Sequence, residues 1–235
     1  MVSRLAEACQ SIPDDAEPFA IVAGQETDSR WSYRRTFKRW FDIGFSLLVL
    51  PPAIVFSLLV AVLIKLDSRG PVLIKVKRLG RNRTAFFKYK FRTMVPDAEK
   101  VLQQLLRSDA AVREEYHRTY KIRKDPRITR LGRWLRFTSL DELPQIVNVL
   151  KGDMSWVGPR DILETELTKY GEFAPRLLTV RPGITGLWQV SGRSNLSYTE
   201  RVNLDMNYIE DVSLIVDLKI IGRTIPVILF GDGAA

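Results

Sequence analysis

From residue 43 to residue 64 the chain reads IGFSLLVLPPAIVFSLLVAVLI, without a single charge. Wound as a helix, a run of that length spans ~33 Å, about the hydrocarbon thickness of a bilayer. It starts after a largely polar stretch, so it does not read as a cleaved signal peptide. The simplest expectation is one transmembrane helix, and two features oppose it. Pro51 and Pro52 fall near the middle of the run, where each removes a backbone donor and crowds the preceding turn. Both flanks are basic: Arg34, Arg35, Lys38 and Arg39 precede the run, and Lys65, Arg69, Lys75, Lys77 and Arg78 follow it. The positive-inside bias places both flanks on the cytoplasmic side, which one straight span cannot satisfy. A helix that enters one leaflet, breaks at the prolines and returns satisfies both constraints, and that re-entrant hairpin is the expectation. It leaves carbonyls freed at the bend to find partners within the membrane.

Beyond the apolar run the pattern changes period. Residues 71–76 predict a short strand, Leu79-Gly80-Arg81-Asn82 part of a turn, and residues 86–92 a second strand. In that second strand Phe87, Tyr89 and Phe91 share one face, and Lys88, Lys90 and Arg92 share the other. The basic row is either the solvated face of an edge strand or a surface turned toward phosphate. Residues 97–120 predict a helix with Ala98, Val101, Leu102, Leu105 and Leu106 on one stripe. Another helix is expected after Ser139, carrying Leu143, Ile146, Val147 and Leu150, with Gly152 as its stop. Residues 214–230 are strongly apolar but interrupted by Asp217, Lys219 and Arg223, the pattern of an amphipathic helix lying on a membrane surface. Short strands among longer helices make the expected class α+β. The expected division is a flexible tail over 1–33, a membrane-anchoring re-entrant helix over 34–66, and a globular domain over 67–235.

Composition narrows the chemistry. The 235 residues are 46% hydrophobic, which excludes wholesale disorder. One cysteine (Cys9) and one histidine (His117) exclude a disulfide framework and a Cys/His zinc site. They also disfavour nucleophilic catalysis built on imidazole. Polar chemistry must rest on carboxylates, arginine, lysine and a hard cation. The net charge of +9 is uneven: residues 1–33 hold six acids against two bases, whereas residues 65–92 hold ten Lys or Arg and only Asp67. Such a density calls for an anionic partner: lipid headgroups, nucleic acid or a phosphorylated substrate.

The densest mixture of polar and apolar residues is Thr138-Ser139-Leu140-Asp141-Glu142-Leu143-Pro144-Gln145. Ser139 and Glu142 have capping-box spacing, so by spacing alone Glu142 reads as a helix cap. The surroundings argue for more. Arg127, Arg130, Arg133 and Arg136 precede the pair at three-residue intervals, and Gly158-Pro159-Arg160 follows. Acids set among arginines can hold a metal ion and phosphates together.

These residues resemble the bacterial sugar transferases, the monotopic polyprenyl-phosphate phosphoglycosyl transferases. The matching pieces are the basic, proline-interrupted hydrophobic segment, then Lys90-Phe91-Arg92-Thr93-Met94, then Asp125-Pro126-Arg127-Ile128-Thr129-Arg130-Leu131-Gly132. The run from Ser139 to Gln145 follows, then Leu150-Lys151-Gly152-Asp153-Met154-Ser155, Val157-Gly158-Pro159-Arg160 and Arg181-Pro182-Gly183-Ile184-Thr185-Gly186. The pieces occur in order, and together they are far more specific than any one alone.

The resemblance implies transfer of a sugar-1-phosphate, as a hexose-1-phosphate, from a UDP-sugar to polyprenyl (undecaprenyl) phosphate, releasing UMP and starting exopolysaccharide or glycoconjugate assembly. Asp141 would be the nucleophile of a ping-pong reaction and Glu142 a ligand for magnesium (Mg2+). Arg160 would grip phosphate, with Lys90 and Arg92 as supplements. Pro51 and Pro52 would break the membrane hairpin. The expected partners are the UDP-sugar, the polyprenyl phosphate and inner-membrane lipids, without nucleic acid; a homodimer stays open. Nucleotide-sugars are cytoplasmic, so the catalytic domain is expected on the cytoplasmic side of the bacterial inner membrane. No second uncharged span is apparent, as in the short form of the family. Asp161 departs from the pattern, because the family usually follows Gly-Pro-Arg with proline. The loop 183–192, with Trp188 and Gln189, is either an approach to nucleotide or an ordinary loop, and Asp205 fits a structural hydrogen bond as well as a functional role. The rival class is a non-enzymatic membrane-tethered scaffold or nucleic-acid-binding protein that uses the basic segment as its contact surface.

Overall fold

The computed structural model describes residues 37–119, 122 and 125–230. The predicted tail over 1–33 lies outside the described residues. The apolar run lies within α1 (Lys38–Asp67), a helix of 30 residues with Pro51 and Pro52 inside it. By length and composition it can cross a membrane. The helix is continuous through both prolines, so a break in its hydrogen-bonded turns is not seen there. Each proline forfeits one amide, but its fixed φ is compatible with helical backbone, so the turns on either side need not unwind. The middle of α1 is mostly exposed, with Leu48 at 72% and Val55 at 67%, although Ala53 is buried.

Both ends of α1 sit on the folded domain. At its start Arg39 donates to the carbonyls of Val149 and Leu150. Asp42 accepts from the hydroxyl of Ser155 and the amide of Trp156, and Ser46 accepts from the Trp156 indole. At its far end Val60 and Ile64 join Phe91 and Leu135 in a buried apolar cluster.

Strands β1 (Leu73–Leu79) and β2 (Ala85–Phe91) pair antiparallel, from Leu73 opposite Phe91 to Leu79 opposite Ala85. The turn between them places Asn82 and Arg83 at φ 56° and 59°. On β2, Phe86 and Lys88 are buried while Phe87 is 55% exposed. The basic row therefore faces inward, which corrects the solvated-edge alternative.

The single helix expected over 97–120 is two, α2 (Ala98–Ser108) and α3 (Ala110–Thr119); Tyr120 lies outside the described residues. Asp109 makes the break. Its backbone is extended, and its carboxylate accepts from the amides of Ala111 and Val112, capping α3. Helix α4 (Arg130–Phe137) is capped by Thr129. A 3-10 turn (Leu140–Gln145) then leads into α5 (Ile146–Lys151), which Gly152 ends at φ 89°. Helix α5 thus starts later than expected, because Pro144 inside the turn has no amide to continue an α-helical ladder.

Strand β3 (Ser155–Val157) pairs parallel with β4 (Gly183–Thr185). Between them lie a 3-10 segment (Glu164–Phe173) and α6 (Ala174–Leu177). Helices α7 (Tyr198–Asp211) and α8 (Leu214–Phe230) close the fold. The main core gathers Val157, Ile162, Tyr170, Val202, Met206, Ile209 and Ile220 between β3, α7 and α8. Ile215 and Leu218 of α8 are 65% and 51% exposed, and Lys219 and Arg223 are exposed with them, so its outer face mixes apolar and basic residues. The architecture is α+β, as expected.

One ion pair ties the first helix to the last. Lys38 pairs with Asp217, their side chains 11% and 0% exposed, and the Tyr208 hydroxyl also donates to Asp217. Removing the ammonium leaves a buried carboxylate short of its counter-ion. Lys38→Met is expected to cost about 3–5 kcal/mol, read as a lowered thermal midpoint in detergent. An unchanged midpoint would show that the pair contributes little.

Candidate active site

A cavity of about 820 Å³ opens between the β1–β2 hairpin, the 3-10 turn after α4, the β4 loop, α1 and α8. On its hairpin side lie Arg78, Lys88 and Lys90; Phe45 and Val49 of α1 with Ile221, Ile225 and Ile228 of α8 supply an apolar side. The geometry follows from β2. Strand periodicity puts Lys88 and Lys90 on one face, two residues apart, and that face meets the 3-10 turn.

The Lys90 ammonium lies 2.6 Å from Glu142 Oε1 and 3.3 Å from Asp141 Oδ2. Two adjacent carboxylates thus converge on one cation. Burial, then the charge of Glu142, raises the Asp141 carboxyl above its ordinary value, with Lys90 opposing. For Glu142 burial acts the same way, but Lys90 and Lys88 outweigh it and the carboxyl is lowered. Burial disfavours the Lys90 charge, yet Glu142 and Asp141 overcome it and hold the ammonium firmly protonated.

Ser139 does not cap a helix. It sits at φ 56°, its hydroxyl accepts from Arg193, and Glu142 turns to Lys90 instead. This corrects the capping-box alternative. A left-handed residue at 139 redirects the chain so that the following turn presents both acids to β2.

The other predicted residues separate. Arg160 lines the cavity, its guanidinium 5.5 Å from the Trp188 ring centre, with Arg201 5.3 Å from the same ring. Glu166 lies 3.9 Å from Arg160. Arg92 is not among the lining residues; its guanidinium donates to the carbonyls of Ser68 and Arg69 and the Ser68 hydroxyl. Of the four spaced arginines, only Arg136 reaches the cavity, donating to the Thr93 hydroxyl on the way. Arg127 is paired with Asp125, and Arg130 and Arg133 are exposed. Trp188 and Gln189 both line the cavity, so the 183–192 loop forms part of its wall.

Sequence reasoning missed Arg78, Arg193 and Arg201, and it gave no partner to Asp161. Asp161 holds Arg78 and Lys88 together, at 2.7 Å and 2.6 Å. The inward period of β2 was the only signal that could have found Lys88; the isolated arginines carry none.

Asp205 supports Arg160 from behind. Its carboxylate accepts from the Arg160 amide at 3.3 Å and the Tyr170 hydroxyl at 2.9 Å. Burial pushes its carboxyl from the ordinary 3.8 up to about 7, although Tyr170 and Arg160 pull it down. Across that interval the folded chain holds a proton that the unfolded chain has released, so stability falls as pH rises and levels off above about pH 7. Asp205→Asn keeps an acceptor for the Arg160 amide and removes the titration. Its thermal midpoint is expected to gain on wild type between about pH 4 and about pH 7, then keep a constant lead. Parallel curves across that range would rule the titration out.

The convergence of Asp141 and Glu142 on one ammonium also tests the fit of a divalent cation. Magnesium prefers oxygen ligands and is commonly held by one or two carboxylates with water completing the shell. This donor set fits it. Among the described residues no group of three or more Asp, Glu, His or Cys is placed to hold a metal alone.

A family model described as bacterial sugar transferase matches residues 33–231. The exopolysaccharide production protein ExoY of Sinorhizobium fredii is 43% identical over 215 residues, covering 92% of this chain and 95% of that protein. The undecaprenyl-phosphate galactose phosphotransferase of Salmonella typhimurium is 44% identical over 200 residues, 85% of this chain and 42% of that protein. The undecaprenyl-phosphate glucose phosphotransferase of Komagataeibacter xylinus is 38% identical over 248 aligned residues, 99% of this chain and 43% of that protein. The chain therefore spans nearly the whole of the first relative and less than half of the other two. With both the family match and the relatives running through the cavity and its two acids, the chain belongs to the bacterial sugar transferase family.

Proposed function

We propose that this chain transfers a hexose-1-phosphate from a UDP-sugar to undecaprenyl phosphate, releasing UMP and opening exopolysaccharide or glycoconjugate assembly. The observation that carries the reading is the pair Asp141 and Glu142, converging on Lys90 in a cavity with basic and apolar sides. The basic side suits a nucleotide diphosphate, and the side made by α1 and α8 suits a prenyl chain. The names of the Salmonella and Komagataeibacter relatives agree with this chemistry. A scaffold or nucleic-acid binder would account for the basic strand but not for two carboxylates held on a partly buried lysine.

In the first half-reaction a carboxylate oxygen of Asp141 bonds to the sugar-bearing phosphorus as that phosphorus parts from the oxygen of UMP. In the second, an oxygen of the lipid phosphate bonds to the same phosphorus and the Asp141 carboxylate is freed. Water must be kept from the acyl phosphate between the two steps, which a cavity closed by a lipid chain accomplishes. Glu142, with Asp141 beside it, would hold magnesium, whose chemistry is to offset charge on the phosphoryl oxygens. Arg160 and its neighbour Arg201 would hold the outer phosphate. Lys90 serves Asp141 and Glu142 first and substrate phosphate only second. Arg92, occupied with Ser68 and Arg69, is a weaker phosphate ligand.

The re-entrant arrangement of α1 is part of the same reading. In a straight helix Asp42 and Ile64 would stand ~33 Å apart, yet both are buried against the domain while most side chains of the middle turns are exposed. A bend at Pro51 and Pro52 with its apex in the cytoplasmic leaflet of the inner membrane reconciles these contacts. Gln25→Cys and Lys100→Cys, each in a Cys9→Ala background, are expected to resist an impermeant maleimide in intact cells. Labelling of one and not the other would restore the straight span.

The reaction itself is tested by UMP release in detergent with undecaprenyl phosphate and a panel of UDP-hexoses. Release from at least one donor, dependent on the lipid for turnover, is the expected result. No UMP from any donor would overturn the reading.

A further inference from the structure

We propose that Asp161 is a specificity-determining residue whose carboxylate accepts hydrogen bonds from hydroxyl groups of the donor's sugar. The inference rests on the reading of the site given above and adds the part of the wall that meets the sugar ring.

The position follows from the strand. Lys88 and Lys90 share the inward face of β2 two residues apart, a step of ~7 Å. Lys90 carries Glu142 and Asp141, and Lys88 carries Asp161, so Asp161 stands one such step along the wall from the two reactive acids. The phosphorus that meets Asp141 bears the sugar through a single oxygen, so the ring must lie beside the same acids. Charge decides which side it takes. Arg78 and Lys88 already carry a carboxylate, and that carboxylate repels phosphate. Arg160 and Arg201 both approach the Trp188 ring, and Glu166 reaches Arg160 only at 3.9 Å against 2.6–2.7 Å for the Asp161 pairs, so these two guanidiniums form the more anion-attracting stretch. Phosphate therefore belongs toward Trp188, and the neutral, hydroxyl-rich ring toward Asp161.

The chemistry of Asp161 suits that role. Arg78 Nε donates to Oδ2 at 2.7 Å, and Lys88 Nζ lies 2.6 Å from each carboxylate oxygen. A carboxylate has about four lone-pair sites, so acceptor capacity remains after both cations are served. Burial works against its charge, but Lys88 and Arg78 outweigh burial and keep the group ionised. Its two partners sit on adjacent strands of one hairpin, which fixes the carboxylate in place. The side chain is 12% exposed and lines the cavity.

The test compares kcat/KM for UMP release from the best UDP-hexose and from its 2-, 3-, 4- and 6-deoxy analogues, in wild type and Asp161→Asn. In wild type, loss of a hydroxyl bonded to the carboxylate is expected to cost roughly tenfold or more. In Asp161→Asn the penalty at that position should shrink to a few-fold, while the other positions keep theirs. Asp161→Glu retains both ion pairs and moves the carboxylate by one methylene, so it is expected to keep the wild-type thermal midpoint and reorder the penalties. If both variants lower all five donors by the same factor, Asp161 is only a structural ion pair and the inference is overturned. A wild type that releases no UMP from any donor fails differently, since it removes the transferase reading and this inference with it.

Discussion

Asp141→Asn is expected to lower UMP release by at least about 10⁴-fold, the scale on which removal of a covalent nucleophile acts. The amide keeps the shape of the carboxylate but lacks the charge and lone-pair reactivity needed to bond to phosphorus. The variant should nevertheless fold well. Asp141 is raised by burial and by Glu142 next to it, so a neutral group there relieves both costs. A thermal midpoint at or above wild type, with no phosphosugar retained from a labelled donor when lipid is withheld, is the expected pair of results. UMP release at the wild-type rate would remove Asp141 as the nucleophile. Retention of label elsewhere during normal turnover would move the nucleophile to another residue.

The second large effect is expected at Lys90. Lys90→Met leaves Asp141 and Glu142 adjacent, largely buried and without the ammonium they share. Losing one partner of such a group is a matter of about 3–5 kcal/mol, enough to displace both carboxylates or to drive one of them to take a proton. A fall in kcat of about 10²-fold or more, with KM for the UDP-sugar near its wild-type value, is the outcome that places Lys90 behind the acids. A rise in KM at constant kcat would assign Lys90 to substrate phosphate instead. Lys90→Arg preserves charge but not the compact point geometry of the ammonium, so partial recovery is expected.

Much of the fold was legible because period and punctuation survive in one dimension. The alternation over Ala85–Phe91 announced a strand, and Gly152 ended α5 where a left-handed residue was expected. Failures occurred where a local signal had two partners to choose from. Asp109 reads as one more polar residue in a helix until its carboxylate is seen capping the next one. Ser139 and Glu142 have the spacing of a capping box, but Glu142 finds a charged partner on β2, and an ion pair with Lys90 outweighs a cap on its own helix. Arginines at 127, 130 and 133 share the three-residue spacing of Arg136, yet helix rotation and pairing with Asp125 keep them out of the cavity.

The sequence alone determined the family, the long apolar run and the α+β class, and it singled out the two carboxylates as candidates, because residue type and order suffice for each. Tertiary structure decided which cations serve those carboxylates and which acids serve the cations. Lys90 meets residues 141 and 142 across some fifty positions, Lys88 meets Asp161 across seventy-three, and Lys38 meets Asp217 across 179. Pairing at such separations depends on how strands and helices pack, and a charge along the chain carries no mark of its partner. Asp141 and Glu142 could be named from the chain; that they share one lysine, in a wall where Asp161 holds two more cations, required the fold.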